Sequence, residues 1–145
     1  MNQELIGAVN KQVANWMVLY TKLHHFHWYV KGNHFFTLHE KFEELYDEAN
    51  EHIDELAERI LTISGNPVST LKECLEISSI KEAKGNESEE DMVRETITDF
   101  QTIIGECQSA MELAEKANDE GTSDMLLGVI GGLQKHVWML NAYLG

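Results

Sequence analysis

The spacing of the apolar residues restricts the fold of this chain more than any other feature of its sequence. In four long segments, apolar side chains recur at every third or fourth position. This spacing lines them up on one face of an α-helix, whereas a half-buried β-strand alternates apolar and polar residues. We therefore predict four long amphipathic helices. The first shows the pattern at Val9, Val13, Trp16, Tyr20 and Leu23.

Turn and capping signals mark the ends of these helices. Gly32 is the expected left-handed cap of the first helix, and Gly65 with Pro67 ends the second. A Ser88-x-x-Asp91 capping box starts the third, which ends at a break over 118–121. The other predicted limits are about 2–30 for the first helix, 36–63 for the second, 123–143 for the fourth, and 69–75 for a short helix between the second and third.

Four such helices with little β-strand signal indicate an all-α four-helix bundle. The chain has 145 residues, which is enough for one domain with a buried core, and we expect that domain to span 1–145. The long connection between the second and third helices fits a crossover in such a bundle. No stretch approaches the ~18 consecutive apolar residues of a transmembrane helix, so no membrane span is expected.

The chain is strongly acidic, with a formal net charge of −14. Such a charge opposes binding to nucleic-acid phosphates and attracts cations, although it also serves solubility. The first ten residues contain no Lys or Arg, which argues against a signal peptide and against a basic DNA-binding arm. Cys74 and Cys107 lack metal-ligand spacing and do not suggest a disulfide framework. We therefore expect a cytoplasmic protein.

Histidines and carboxylates are concentrated in one part of the chain. Six of the seven histidines lie within residues 24–52, beside or within the acidic second helix. His and carboxylate together are ligands of iron, manganese and zinc. However, the Glu-x-x-His motif of di-iron bundles is absent, because no acid stands three positions before any histidine. A di-iron site inside one bundle would lack half of its ligands, and we exclude it.

Two pairs of side chains on the second helix offer another arrangement. His39 and Glu43 are one turn apart, and so are Asp54 and Glu58. All four fall within an arc of about 100° that flanks the apolar stripe. The two pairs are separated by about 16 Å along the helix axis, which is too far for them to hold one ion within a single chain.

Two-fold symmetry would remove this separation. The midpoint of positions 39 and 58 is also the midpoint of 43 and 54. If the helix packs antiparallel against a second copy near Ala49, His39 faces Glu58 of the partner subunit and Glu43 faces Asp54 of the partner subunit. Two identical sites shared between two chains would result. The alternative interpretation is a solvated acidic helix face.

His27 extends the apolar stripe of the first helix, so we expect it to point inward toward the second helix. It is either a packed core histidine or, beside the acidic pair, a further ligand. Trp28 follows it directly, and an aromatic side chain at this position serves packing, an interface or one-electron transfer. The same ligands would also bind Zn²⁺ or Mn²⁺, because affinity alone does not select iron.

Several stretches that together cover nearly the whole chain carry a resemblance to a known family. They are HWYVKGNHFFTLHEK at 27–41, DELAER at 54–59, GNP at 65–67, DML at 124–126 and HVWM at 136–139. With these stretches the chain resembles the Dps family, the DNA-protection-during-starvation proteins or mini-ferritins.

This resemblance implies a ferritin-like four-helix bundle, with a short helix in the crossover, that assembles as a hollow dodecamer. It implies ferroxidase sites at the two-fold interfaces. His27 and His39 would be the histidine ligands, and Asp54 and Glu58 of the facing chain the main carboxylates. Glu43 occupies the fifth ligand position, where the family commonly has Asp. We expect its longer side chain to alter the second metal position.

The resemblance also implies a route and a reaction for iron. Trp28 and Trp138 match aromatic residues near the family's site, and Glu115, Glu120 and Asp124 match the acids that line its three-fold pores. Fe²⁺ would enter there, bind with up to two ions at each site, and be oxidised by hydrogen peroxide. The ferric product would be stored as mineral in the shell, and Zn²⁺ would compete for the site.

The negative charge favours a shell with little or no direct DNA binding. Two other functions stay open at this point. One is a DNA-shielding assembly without catalysis, and the other is an acidic helical interaction module whose histidines are structural. Only the iron-oxidising function needs His27, His39, Asp54 and Glu58 together.

Overall fold

In the computed structural model, which describes residues 2–145, the chain folds into five α-helices and no strand. Four long helices with a short helix in the connection between the second and third confirm the predicted four-helix bundle. No helix of residues 2–145 combines the length and apolar character that a bilayer crossing needs. The helices are α1 (Gln3–Tyr29), α2 (Phe35–Thr62), α3 (Leu71–Ile77), α4 (Glu89–Lys116) and α5 (Glu120–Leu144).

Side-chain caps explain where the helices begin. At α1 the side chain of Asn2 accepts a hydrogen bond from a backbone N–H of the first turn. At α4 the predicted capping box of Ser88 and Asp91 is present, with both reciprocal hydrogen bonds. At α5 the side chain of Asp119 accepts a hydrogen bond from the N–H of Thr122. This cap starts α5 before the predicted position 123.

One hydrophobic core lies between the four long helices. α1 packs along α2 and α4 along α5, while α1 also contacts α4 and α3. Burial of each large apolar side chain stabilises the fold by about 1.5–3 kcal/mol. The largest aromatic side chains in the core are Trp16 and Phe26 of α1, Phe42 of α2 and Phe100 of α4.

The two cysteines take part in packing. Cys74 on α3 and Cys107 on α4 are buried and free, in agreement with the predicted absence of a disulfide framework. Burial raises the pKa of the Cys107 thiol to about 12. The thiol therefore stays protonated at neutral pH and behaves as a small apolar group.

A buried hydrogen-bond network attaches the crossover to the bundle. The carboxylate of Glu106 on α4 accepts hydrogen bonds from Gln12 Nε2 at 3.0 Å, Asn15 Nδ2 at 2.7 Å and Ser79 Oγ at 2.6 Å. Burial alone would raise the pKa of Glu106, but these hydrogen bonds outweigh it and lower the pKa. The segment between α3 and α4 is thus held against α1 and α4 through one carboxylate.

Two pairs of charged or titratable side chains lie between the helices. Lys22 of α1 is only 3% exposed, and its Nζ lies 2.8 Å from Oδ2 of Asp99 on α4. The apolar stripe of α4 predicts no buried carboxylate, and Asp99 is tolerated because Lys22 supplies the compensating charge. His136 of α5 lies with its Nε2 2.6 Å from Oε2 of Glu48 on α2, and this hydrogen bond lowers the pKa of Glu48.

The end of α2 lies where the sequence predicts it, but its glycine acts in another way. Ser64, and not Gly65, adopts the positive φ of 71° after the helix. At Gly65 a Cβ atom would lie 2.9 Å from Cγ2 of both Ile6 and Ile60. Close packing therefore requires glycine at this position. Gly32, the expected cap after α1, does have a positive φ of 130°.

We expect Gly65→Ala to lower the urea midpoint of unfolding, because overpacking at a filled site costs about 1–3 kcal/mol. Gly7→Ala is the matched control, since a Cβ at Gly7 in α1 meets nothing within 4 Å. Alanine is the better helix former, so the control should be neutral or stabilising by up to about 1 kcal/mol. Urea unfolding followed by circular dichroism measures both. Equal midpoints for the two variants would contradict the packing argument.

Candidate metal centre

Two histidine side chains meet where α1 ends and α2 begins. His27 lies in the last turn of α1 and His39 in the second turn of α2, and the short connection between the helices brings these turns side by side. The two rings stack with 3.7 Å between their centroids and an angle of 13° between their planes. His27 is 6% exposed, in agreement with the inward position that the stripe of α1 predicts.

A reciprocal pair of hydrogen bonds orients both rings. Nδ1 of His27 lies 2.6 Å from the backbone oxygen of His39, and Nδ1 of His39 lies 2.7 Å from the backbone oxygen of His27. A carbonyl oxygen only accepts, so each Nδ1 must carry the proton and donate it. In the neutral imidazole, Nε2 is then the unprotonated nitrogen, with a lone pair available to a metal ion. Backbone partners of this kind commonly fix the orientation of metal-binding histidines.

A carboxylate stands next to this pair. Glu43 follows His39 by one turn of α2, and its Oε1 lies 3.8 Å from Nε2 of His27. The side chain of Glu43 is 55% exposed, so it can rotate toward an ion with little hindrance. Two imidazole nitrogens and a carboxylate oxygen are suitable donors for Fe²⁺.

Asp54 and Glu58 lie farther along α2 and do not join this group within one chain. Both are on later turns of the helix, and the nearer one, Asp54, lies about 16 Å beyond Glu43 along its axis. Within residues 2–145, no group of three or more His, Cys, Asp or Glu side chains is placed to hold a metal ion. A complete site built from the five predicted ligands therefore requires side chains of more than one chain.

The other histidines of the chain pack against aromatic or acidic neighbours. His24 stacks on Tyr46 at 3.6 Å, and His52 packs on Trp16 at 4.5 Å. With His136 bound to Glu48, all three make packing or hydrogen-bond contacts within the bundle.

The aromatic side chains near the histidine pair differ in whether they contact it. Trp28, next to His27, is 67% exposed, and its ring lies 5.3 Å from that of His24. Trp138, also 67% exposed, lies on α5 and not on the helices that carry the five predicted ligands. Tyr46 contacts the edge of His27 at 5.3 Å. The sequence analysis missed Tyr46, because it lies beside the apolar stripe of α2 and in no metal-ligand spacing.

The three predicted pore acids lie on either side of the turn between α4 and α5. Glu115 is in the last turn of α4, Glu120 is the first residue of α5, and Asp124 follows one turn later. All three side chains are exposed. They present carboxylates to solvent from a short segment, as a surface that attracts cations requires.

Arg59 of α2 attaches this turn to the rest of the bundle. Its Nη2 donates to Oδ1 of Asp119 at 2.8 Å and its Nε donates to Oγ1 of Thr122 at 2.9 Å. At Gly121 a Cβ atom would lie 2.6 Å from Nη2 of Arg59, so the guanidinium packs directly against the backbone there. Burial would raise the pKa of Asp119, but its hydrogen bonds with Thr122 and Arg59 lower it.

Comparison with known proteins gives a consistent result. Residues 6–145 match the family described as Ferritin-like domain. The chain is 58% identical over 144 residues to DNA protection during starvation protein 2 of Bacillus anthracis, covering 99% of each protein.

Solved structures agree. A Dps protein from Bacillus brevis superposes with a TM-score of 0.98 at 54% identity over 100% of both chains. A Dps protein from Vibrio cholerae O1 superposes with a TM-score of 0.95 at 38% identity, over 99% of this chain and 90% of that one. The Vibrio protein is described as a member of a broad superfamily of ferritin-like diiron-carboxylate proteins.

We expect His39→Gln to weaken Co²⁺ binding to the assembled protein by at least about tenfold, since it removes one of the free Nε2 donors. His25→Gln is the matched control, because His25 stacks on Tyr29 at 4.6 Å and is not one of the predicted ligands. Co²⁺ titration followed by absorbance compares the two variants. Equal affinities would show that the histidine pair does not bind the metal.

Proposed function

Since this chain belongs to the Dps family of ferritin-like proteins, we propose that it is a ferroxidase that stores iron in a hollow dodecamer. It oxidises Fe²⁺ with hydrogen peroxide at sites shared between two chains. One chain supplies His27, His39 and Glu43, and Asp54 and Glu58 come from its two-fold neighbour. The ferric product is stored as mineral inside the shell.

One observation carries this proposal most directly. Nδ1 of each imidazole donates to the backbone oxygen of the other residue, which leaves Nε2 of both neutral rings free, with that of His27 3.8 Å from a carboxylate oxygen of Glu43. A histidine that served only packing would not need its Nε2 free and next to an acid. The self-complementary spacing of His39, Glu43 and the later acid pair supplies the remaining carboxylates when two α2 helices pack antiparallel.

The arrangement suits a two-electron reaction. Two Fe²⁺ ions each give one electron to hydrogen peroxide, and two protons complete two molecules of water. The imidazoles and carboxylates hold both ions close to the peroxide, so that both electrons leave without release of hydroxyl radical. Glu43 reaches farther than an aspartate would and adjusts to the second ion. Zn²⁺ competes for the same donors.

Iron reaches the interior through acidic pores. Three copies of the turn between α4 and α5 would bring Glu115, Glu120 and Asp124 around a three-fold axis. Carboxylates focused there raise the local concentration of Fe²⁺ and steer it inward.

The sharpest test separates a shared site from a site within one chain. We expect peroxide, more than oxygen, to oxidise anaerobically loaded Fe²⁺ rapidly in the wild type. Asp54→Ala/Glu58→Ala and His27→Ala/His39→Ala should each abolish this. Unfolding and co-assembling the two inactive variants in equal amounts should restore about a quarter of the sites, because a site is whole only where unaltered histidines face unaltered acids.

Iron oxidation is read by absorbance, and Glu44→Ala on the same helix serves as the matched control, since Glu44 is exposed and pairs with Lys41. No recovery in the mixed shells would mean that the ligands belong to one chain. Oxidation in the wild type no faster than in buffer alone would remove the ferroxidase function altogether.

The shell should bind duplex DNA weakly or not at all at physiological salt. Each chain has a formal net charge of −14, so an assembly of many copies repels phosphate. An electrophoretic mobility shift with linear DNA and metal-free protein measures this. Retention of DNA at about 150 mM salt, where the Debye length is about 8 Å, would favour a DNA-shielding shell instead.

A further inference from the structure

We propose that Tyr46 is a one-electron donor to the iron site, connected through His24 to Tyr20 and Trp28. This inference rests on the proposed ferroxidase function and adds a side chain that completes the reduction of peroxide when a site holds a single Fe²⁺. The residue contacts the histidine pair from within the chain, and the ligand set does not include it.

Tyr46 lies against the histidine pair without being a ligand of it. It follows Glu43 on α2 and presents its ring to the edge of His27, with 5.3 Å between centroids and 87° between planes. Its ring also stacks on His24 of α1 at 3.6 Å, with planes only 17° apart. A single aromatic contact therefore separates an oxidisable phenol from a predicted iron ligand.

The contacts continue away from the site. The ring of His24 lies 4.6 Å from Tyr20 and 5.3 Å from Trp28, and Tyr20 lies 6.1 Å from Tyr46. Tyr20 and Trp28 are both oxidisable, and Trp28 is 67% exposed. The cluster thus forms a path of touching rings from the buried edge of His27 to the protein surface.

The charges around Tyr46 suit the loss of a proton together with an electron. Glu43 lies three residues before Tyr46 on α2 and Asp47 directly follows it, so carboxylates that can accept the phenol proton stand nearby. Oxidation without proton loss would leave a cationic phenol, which is a much poorer product.

The need for such a donor follows from the stoichiometry of the reaction. Hydrogen peroxide takes two electrons to become two waters, and a single Fe²⁺ supplies only one. With Tyr46 the step balances: one Fe²⁺, one peroxide, one proton and the phenol give one Fe³⁺, two waters and a neutral tyrosyl radical. A second Fe²⁺ and a proton then restore the phenol and yield another Fe³⁺.

The test uses the assembled protein with less Fe²⁺ than sites, mixed with hydrogen peroxide and freeze-quenched for electron paramagnetic resonance. We expect the signal of a tyrosyl radical in the wild type. This signal should narrow when the protein is produced with ring-deuterated tyrosine. Tyr46→Phe keeps the ring that stacks on His24 but removes the hydroxyl. It should lose the signal and release more spin-trapped hydroxyl radical.

Tyr143→Phe is the matched control, since Tyr143 packs at 5.4 Å from His34 on another part of the bundle. It should keep both the radical and the iron oxidation. A radical that persists in Tyr46→Phe, or iron oxidation by the wild type with no tyrosyl radical, would overturn this inference and leave the ferroxidase intact. Absence of peroxide-driven Fe²⁺ oxidation in the wild type would overturn both proposals.

Discussion

The reciprocal hydrogen bonds between the rings and backbones of His27 and His39 are the interaction on which the candidate site depends. They join the last turn of α1 to the beginning of α2, and they decide which nitrogen of each imidazole is free. Because both acceptors are main-chain oxygens, the orientation does not rely on any side chain that could rotate away. Glu43 and Tyr46 both lie against His27 of this pair.

Much of the fold is accessible from the sequence, because one physical rule dominates it. Apolar residues that repeat every three or four positions must face a common core, and this alone predicts the four long helices. This rule does not predict features that depend on packing between particular side chains. The sequence predicts a helix stop at Gly65. It does not predict the crowding that excludes a Cβ there, because Ile6 comes from another helix and packs with Ile60 against Gly65. The burial of Asp99 likewise depends on Lys22, which lies on another helix.

In the candidate site, too, helical spacing predicts some features and contacts between helices decide the others. Helical spacing identifies His39 and Glu43 as neighbours and directs His27 inward, since both facts follow from 3.6 residues per turn. The protonation of each imidazole could not be predicted, because its partner is a backbone oxygen that has no signature in the sequence. The position of Tyr46 against the site could not be predicted for a related reason. Its significance comes from stacking on His24, a contact between two helices.

Arg59 connects the end of α2 to the start of α5. It follows Glu58 directly on α2, and its guanidinium holds Asp119 and Thr122 at the start of α5. The carboxylates around the turn between α4 and α5 are thereby fastened to the same helical turn as a predicted iron ligand. The acidic turn and the end of α2 that carries Glu58, the two surfaces that the proposed function uses, are therefore coupled through one guanidinium, and displacing either one strains its hydrogen bonds to Asp119 and Thr122.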